Sequence, residues 1–302
     1  MQTLPKDLNT TINNTTINDK IIEIIMVREA EPNSIFVYFE GDTDVNLFKI
    51  IMNHEFRDIA NLIKLESSKG KQKAKKIVKK AKEEKLKNVI AFLDADFDRK
   101  KNPALDDSDD LIYTDQNDLE CTILNLGALN HNHMLYDIFF DKHALNDFLS
   151  NLRHQNLFDL LIQLSSKIGW LRFQNFIKNL GLDFKGLPYP DLFLEPNFEF
   201  DKSKFYECLT KNNSNKHDSA LLKSKIEILN NHDKMEVPQD IEYCNGHDIC
   251  ELISLITKRL GGRESWGPKL IESMIKVWFS NPNYYEGSPM ITKLKNRLTR
   301  ID

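Results

Sequence analysis

The sequence predicts an α/β fold, with a parallel sheet core flanked by helices, a mostly helical insertion and further helices towards the C-terminus. Three observations predict it. Short β-branched and aromatic runs alternate with amphipathic segments between residues 19 and 129. The run Ile35-Phe36-Val37-Tyr38-Phe39 is apolar on both faces, as a strand buried in a parallel sheet must be. Beyond residue 130 the apolar period becomes that of helices.

The elements follow in order. Residues 1–18 are polar, rich in Asn and Thr and aperiodic, and read as a flexible tail. Residues 19–29 predict a short amphipathic helix with Asp19 as its cap. The strand at 35–39 leads into Glu40-Gly41-Asp42-Thr43-Asp44 and a helix to about His54. A second strand is expected at 61–66, a turn at Ser67, Ser68 and Gly70, and a lysine-rich helix to about Leu86. Residues 88–96, NVIAFLDAD, predict a third strand, and 111–114 a fourth, after which DLECTILNLGAL begins a helix. Residues 130–235 read as a helical insertion or accessory domain, interrupted by a three-proline stretch at 186–200. Residues 240–244, DIEYC, suggest one more strand, so 236–302 is expected to return to the core of 19–129 before ending in helices.

Composition narrows the function. Of 302 residues, 41 are Lys or Arg and 45 are Asp or Glu, a net charge of −4, so contact with nucleic acid requires a local basic patch. No apolar run is long enough to span a membrane, and the N-terminus lacks a basic-then-apolar signal pattern. Four scattered cysteines do not make a disulfide framework, so a cytoplasmic location is expected. Neither a P-loop nor a G-x-S-x-G elbow occurs.

The chemistry lies in where the carboxylates fall. Glu40 follows the first strand; Asp94 and Asp96 end the third. Parallel strands open at one edge, where ligands bind. If strands one and three are neighbours, about 4.8 Å apart, the three carboxylates converge. Crowded anions need a cation, and all-oxygen donors suit Mg²⁺ or Mn²⁺ rather than zinc. Asp44, four residues after Glu40, turns back to the same edge and suits a second ion; Asp98 and Glu120 are secondary candidates. Between 69 and 87, ten of 19 residues are lysine, opposed only by Glu83 and Glu84. Ala74, Ile77, Val78 and Ala81 give that helix one face to bury. Lys69, Lys71, Lys73, Lys76 and Lys80 are then candidates for phosphate contact, with Lys69 or Lys71 near enough to the acidic edge to offset charge in a transition state. Cys244-x-x-His247-x-x-Cys250 offers only three soft ligands, and its cysteines read as buried structural residues.

The ordered set VYFEGDTDVNLF, FLDADFD, YTDQNDLECTIL and CNGHDI resembles the Toprim domain of topoisomerases, primases and OLD-type nucleases. In particular it is similar to the bacterial Toprim nucleases that accompany ABC-type ATPases, such as the nuclease effector of the PARIS antiphage system. The resemblance covers about residues 20–125 and 236–260. It implies metal ligation by Asp94 and Asp96, a ligand or acid/base role for Glu40, and cleavage of nucleic acid, with tRNA the favoured target. It further implies an antiviral effector held by an ABC-type ATPase until released, with a homodimer as an expected active form. Position 44 is Asp where OLD nucleases often carry Glu, which shortens the arm towards a second ion. A non-catalytic, metal-binding regulatory subunit of an ATPase complex is the alternative reading. A primase- or topoisomerase-like activity ranks lower, since the eight tyrosines lack an identifying context.

Overall fold

The computed structural model describes residues 16–101, 108–129, 137–194, 196–232, 237–262 and 266–300. It is an α/β structure with a four-stranded parallel sheet flanked by helices. The chain divides into two compact units. Met1–Asp94, Asp106–Tyr113 and Gly287–Asp302 form a sheet unit, and Ala95–Leu105 and Thr114–Glu286 a helical unit.

The sheet unit begins with helix α1 (Ile17–Ala30). Its cap is Thr16, not Asp19: Asp19 donates its N–H to Thr16 Oγ1 at 3.1 Å, and its carboxylate accepts the Thr16 N–H at 2.7 Å. This capping box satisfies two helix-end donors at once and moves the start of α1 into the stretch expected as tail. Positions 1–15 of that expected tail lie outside the described residues. There follow β1 (Ile35–Phe39), α2 (Asp42–Glu55), β2 (Ile63–Ser67), α3 (Lys71–Glu83) and β3 (Val89–Leu93). β4 (Leu111–Tyr113) completes the sheet, whose order is β2-β1-β3-β4 with every pairing parallel.

β1 is central and buried at all five positions. Phe39, Phe48 and Phe92 meet as a cluster, with ring centroids 4.5–5.5 Å apart, which fixes α2 against β1 and β3. α3 buries the expected face, Ala74, Ile77, Val78 and Ala81. Two ion pairs within this unit come from one late helix, Pro289–Thr299: Lys295 to Glu55 at 2.5 Å, and Arg297 to Asp110 at 3.0 Å.

The helical unit holds α4 (Asp98–Lys101) and α5 (Leu119–Leu129), then α6 (Lys142–Asn151) and the long α7 (Leu157–Ile177). After them come α8 (Tyr189–Leu192), the short hairpin β5 (Phe193–Leu194) and β6 (Glu199–Phe200), α9 (Lys202–Asn213) and α10 (Ser219–His232). α11 (Gly246–Arg259), α12 (Pro268–Phe279) and α13 (Pro282–Tyr285) finish this unit, and α14 (Pro289–Thr299) belongs to the sheet unit. The units thus divide elsewhere than at 130 and 235: α5 and 237–286 lie in the helical unit.

The strand expected at 240–244 is instead a 3₁₀ turn, Ile241–Tyr243. Its backbone groups are satisfied without a strand neighbour. Asp240 accepts the Glu242 N–H at 3.0 Å, and Asn117 Nδ2 donates to the Glu242 and Cys244 carbonyls at 2.7 and 2.9 Å. Among the described residues no helix is long and apolar enough to cross a membrane.

Candidate active site

Glu40, Asp44 and Asp94 all belong to the sheet unit. In the β1–β3 register Phe39 stands opposite Phe92, so Glu40 and Asp94 leave the sheet at the same carboxyl edge. The Asp94 N–H donates to Glu40 Oε1 at 2.9 Å. This sets the Glu40 carboxylate across the end of β3, beside the Asp94 side chain's own attachment point. Both residues are half-buried.

The surrounding turn is held by backbone and hydroxyl groups. Ser68, buried, donates both its N–H (2.8 Å) and its Oγ (2.9 Å) to the Phe39 carbonyl, and the Gly70 N–H donates to the Glu40 carbonyl at 3.1 Å. Gly41 caps α2 with extended backbone and no side chain, and Asp44 Oδ2 lies 3.6 Å from where a Cβ at Gly41 would stand. Asp44 thus faces back from the first turn of α2 towards Gly41, on the edge where it was expected.

α3 starts at this edge. Lys69 pairs with Asp42, and its backbone is left-handed, with φ of 61°. Lys71 and Lys75 place their ammonium groups 5.9 and 5.3 Å from the centre of the Tyr113 ring, an arrangement favourable between a cation and the face of an aromatic ring. Lys69, Lys71, Lys73 and Lys76 line one concavity together with Thr16 and Gly70. Lys80 is held by its own helix, 2.9 Å from Glu84 and 3.7 Å from Glu83.

In the helical unit, Asp96 is exposed and has φ of 47°; its N–H donates to the Asn117 carbonyl at 2.6 Å. A non-glycine residue in this region is held there by its surroundings, and such residues cluster at functional sites. Glu120 is set differently. Its Oε1 lies 2.7 Å from Lys276 Nζ, which also reaches Glu272 at 2.9 Å. Burial pushes the Glu120 carboxyl up to about 7, against the attraction of Lys276 and with further upward pressure from Asp118. Glu120 is therefore already paired with an ammonium group.

Asp118 was not anticipated. It is buried, and its carboxylate accepts the Cys121 N–H at 2.8 Å and the Gly246 N–H at 2.7 Å. Burial, more than these two bonds can offset, raises its pKa. A Cβ on Gly246 would stand 2.4 Å from Glu120 Cβ and 2.6 Å from Asp118 Oδ1, so only glycine fits there. Two further groups join this junction: Asp248, fully buried, pairs with Arg172 at 2.6 Å, and Asn245 caps α11. The motifs NDLE and CNGHD are thereby locked together within one unit. Their sequence signal was the glycine in a polar Asn-Gly-His-Asp stretch opening a helix. Cys244 and Cys250 are buried thiols, as expected, and His247 is exposed.

Neither the protein-family models nor the curated proteins include a match to this chain. Among the described residues, no group of three or more His, Cys, Asp or Glu side chains is gathered closely enough to hold a metal ion. The donor chemistry at the sheet edge is nonetheless that of a hard cation. Its side chains are carboxylates, and Mg²⁺ commonly takes only one or two of them, completing its shell with water and substrate phosphate.

Proposed function

We propose that this chain is a Mg²⁺-dependent phosphodiesterase that cleaves RNA, with tRNA as the favoured target, and acts as a toxic effector of bacterial antiphage defence restrained by an ABC-type ATPase. The observation carrying the enzymatic part is the Glu40–Asp94 contact at the carboxyl edge of the parallel sheet. The lysine-rich α3 begins at that same edge. The target, the ATPase and the defence role rest on the Toprim resemblance.

In this reading Glu40 and Asp94 hold the ion. Asp96, two positions further along the chain, and Asp44 are the other ligands, and Mn²⁺ suits the same donors. When bound, the ion supplies Lewis-acid polarisation of the scissile phosphate. The Asp94 N–H fixes the position of the Glu40 carboxylate. Lys71 and Lys73, at the start of α3, draw the phosphate chain to the edge and offset its charge. Glu120 is assigned instead to the buried ion pair with Lys276.

Glu40→Gln is expected to lower Mg²⁺-dependent cleavage of purified tRNA by roughly a hundredfold or more, and to abolish growth inhibition on expression. Sequencing RNA from cells expressing the wild type locates the cut. Unchanged cleavage by Glu40→Gln rules the assignment out. The second reading is a non-catalytic, metal-binding regulatory subunit of an ATPase complex. Its mark is a wild-type chain inert on RNA that binds the ATPase in a metal-dependent way.

A further inference from the structure

The sheet unit carries a second basic surface, at the edge opposite Glu40. A concavity of about 560 Å³ is lined by Lys82, Lys85, Lys87, Asp110, Arg297 and Arg300, over Leu86, Asn88 and Val89. Five cations thus surround one described acid. Asp110 is already engaged: Arg297 donates Nε and Nη2 to its Oδ1 at 3.1 and 3.0 Å, and Lys82 lies 3.1 Å from its Oδ2. Its charge is spent on organising those two side chains. Lys85, Lys87 and Arg300 are exposed, and among the described residues none has an ion-pair partner. Lys85 and Asn88 both have left-handed backbone, with φ of 58° and 52°, so the turn that presents these lysines has a defined shape.

Helix α3 runs from the acidic edge, at Lys71, to this pocket, at Lys82. On a helix, Lys71, Lys75, Lys79 and Lys82 fall along one side, at steps of four, four and three. The structure bears this out on β4: Lys71 and Lys75 lie over Tyr113 at its end, and Lys82 reaches Asp110 just before its start. The row from Lys71 to Lys82 spans about 16 Å at about 1.5 Å per residue. A strand laid along it places a few consecutive phosphates beside these lysines.

We propose that the Lys82–Lys85–Lys87–Arg297–Arg300 pocket is a phosphate-binding anchor for the nucleic-acid strand, holding the backbone several nucleotides from the acidic edge along the lysine row of α3. An extended polyanion fits the linear array of charge, which a compact anion would leave largely unused. No aromatic side chain is among the pocket's described lining residues, so it grips phosphates without stacking bases and is indifferent to sequence. This inference deepens the nucleic-acid part of the proposed function, and its test is independent of cleavage.

The test is binding of a short fluorescent single-stranded RNA to the full chain in EDTA, by anisotropy across a salt series. Lys85→Ala, Lys87→Ala and Arg300→Ala combined should weaken binding roughly tenfold or more at low salt. The triple variant should also reduce the salt slope by about 2, from about 0.7 per phosphate contact. The charge-keeping set Lys85→Arg, Lys87→Arg and Arg300→Lys should bind as wild type. An RNA of scrambled sequence should bind equally well. Equal affinity and slope in wild type and the alanine variant overturn the proposal. So does competition by tripolyphosphate or an acidic peptide as effective, charge for charge, as unlabelled RNA, which would assign the pocket to those ligands. If Glu40→Gln leaves cleavage unchanged, the nuclease assignment falls while this binding result stands; the reverse outcome is equally readable.

Discussion

At the scale of single residues, two close approaches in the helical unit decide what the chain tolerates. Gly169 sits in the interior of α7, where a Cβ would stand 1.6 Å from the Tyr243 carbonyl oxygen. On an ordinary helix Gly→Ala gains about 1 kcal/mol. Here the obstacle is backbone, and Gly169→Ala should instead lose about 1–3 kcal/mol or more in urea unfolding. A gain in stability would show that α7 and the 3₁₀ turn do not meet so closely. Glu120 gives a second test. Its folded pKa, about 7, lies above the ordinary value of 4.5, so the native state binds the proton more tightly than the unfolded chain. That contribution is complete below pH 4.5 and is lost as pH rises through about 7. In metal-free buffer, wild-type stability should fall across this window by up to a few kcal/mol, since each tenfold difference in proton affinity is worth about 1.4 kcal/mol. Glu120→Gln should flatten the curve, as followed by thermal unfolding at stepped pH. Sequence could place Glu120 after a strand, but not its lysine partner: Lys276 comes from an amphipathic helix far along the chain with nothing local to mark it.

At the scale of elements, what was legible depended on whether local pattern and tertiary partners agree. The residues of β1 were readable to the position because an all-apolar, β-branched and aromatic run has one place to go in a parallel sheet. The buried stripe of α3 was equally plain, since lysines exclude every other face from the core. The segment at 240–244 misled for the opposite reason. It reads as a strand, but Asp240 and Asn117 satisfy its backbone with side chains, and no pattern of apolar residues records that. α1 started early because Thr16 and Asp19 form a reciprocal cap whose second member is Asp rather than the commoner Glu or Gln. The weight carried by the aromatic cluster can be measured. Phe48 is fully buried between Phe39 and Phe92, and Phe48→Ala should cost about 3–5 kcal/mol in chemical denaturation. A loss below about 1 kcal/mol would mean that α2 is not fixed to the sheet by this contact.

At the scale of the whole molecule, proximity in sequence is a poor guide to membership of a unit. Asp94 belongs to the sheet unit and Ala95 to the helical unit, while Tyr113 and Thr114 divide in the same way. Helix α14, the last described element, returns to the sheet unit and supplies Arg297 to Asp110. This return has a kinetic consequence. A ribosome makes α14 only after the whole of Thr114–Glu286, so the nascent sheet unit waits through that interval with Asp110 missing its guanidinium partner. Domains tend to fold as units while they are being translated, at about 5–20 residues per second. The order of translation therefore builds in a delay: Arg297 and Arg300 join Lys82, Lys85 and Lys87 only near the end of synthesis.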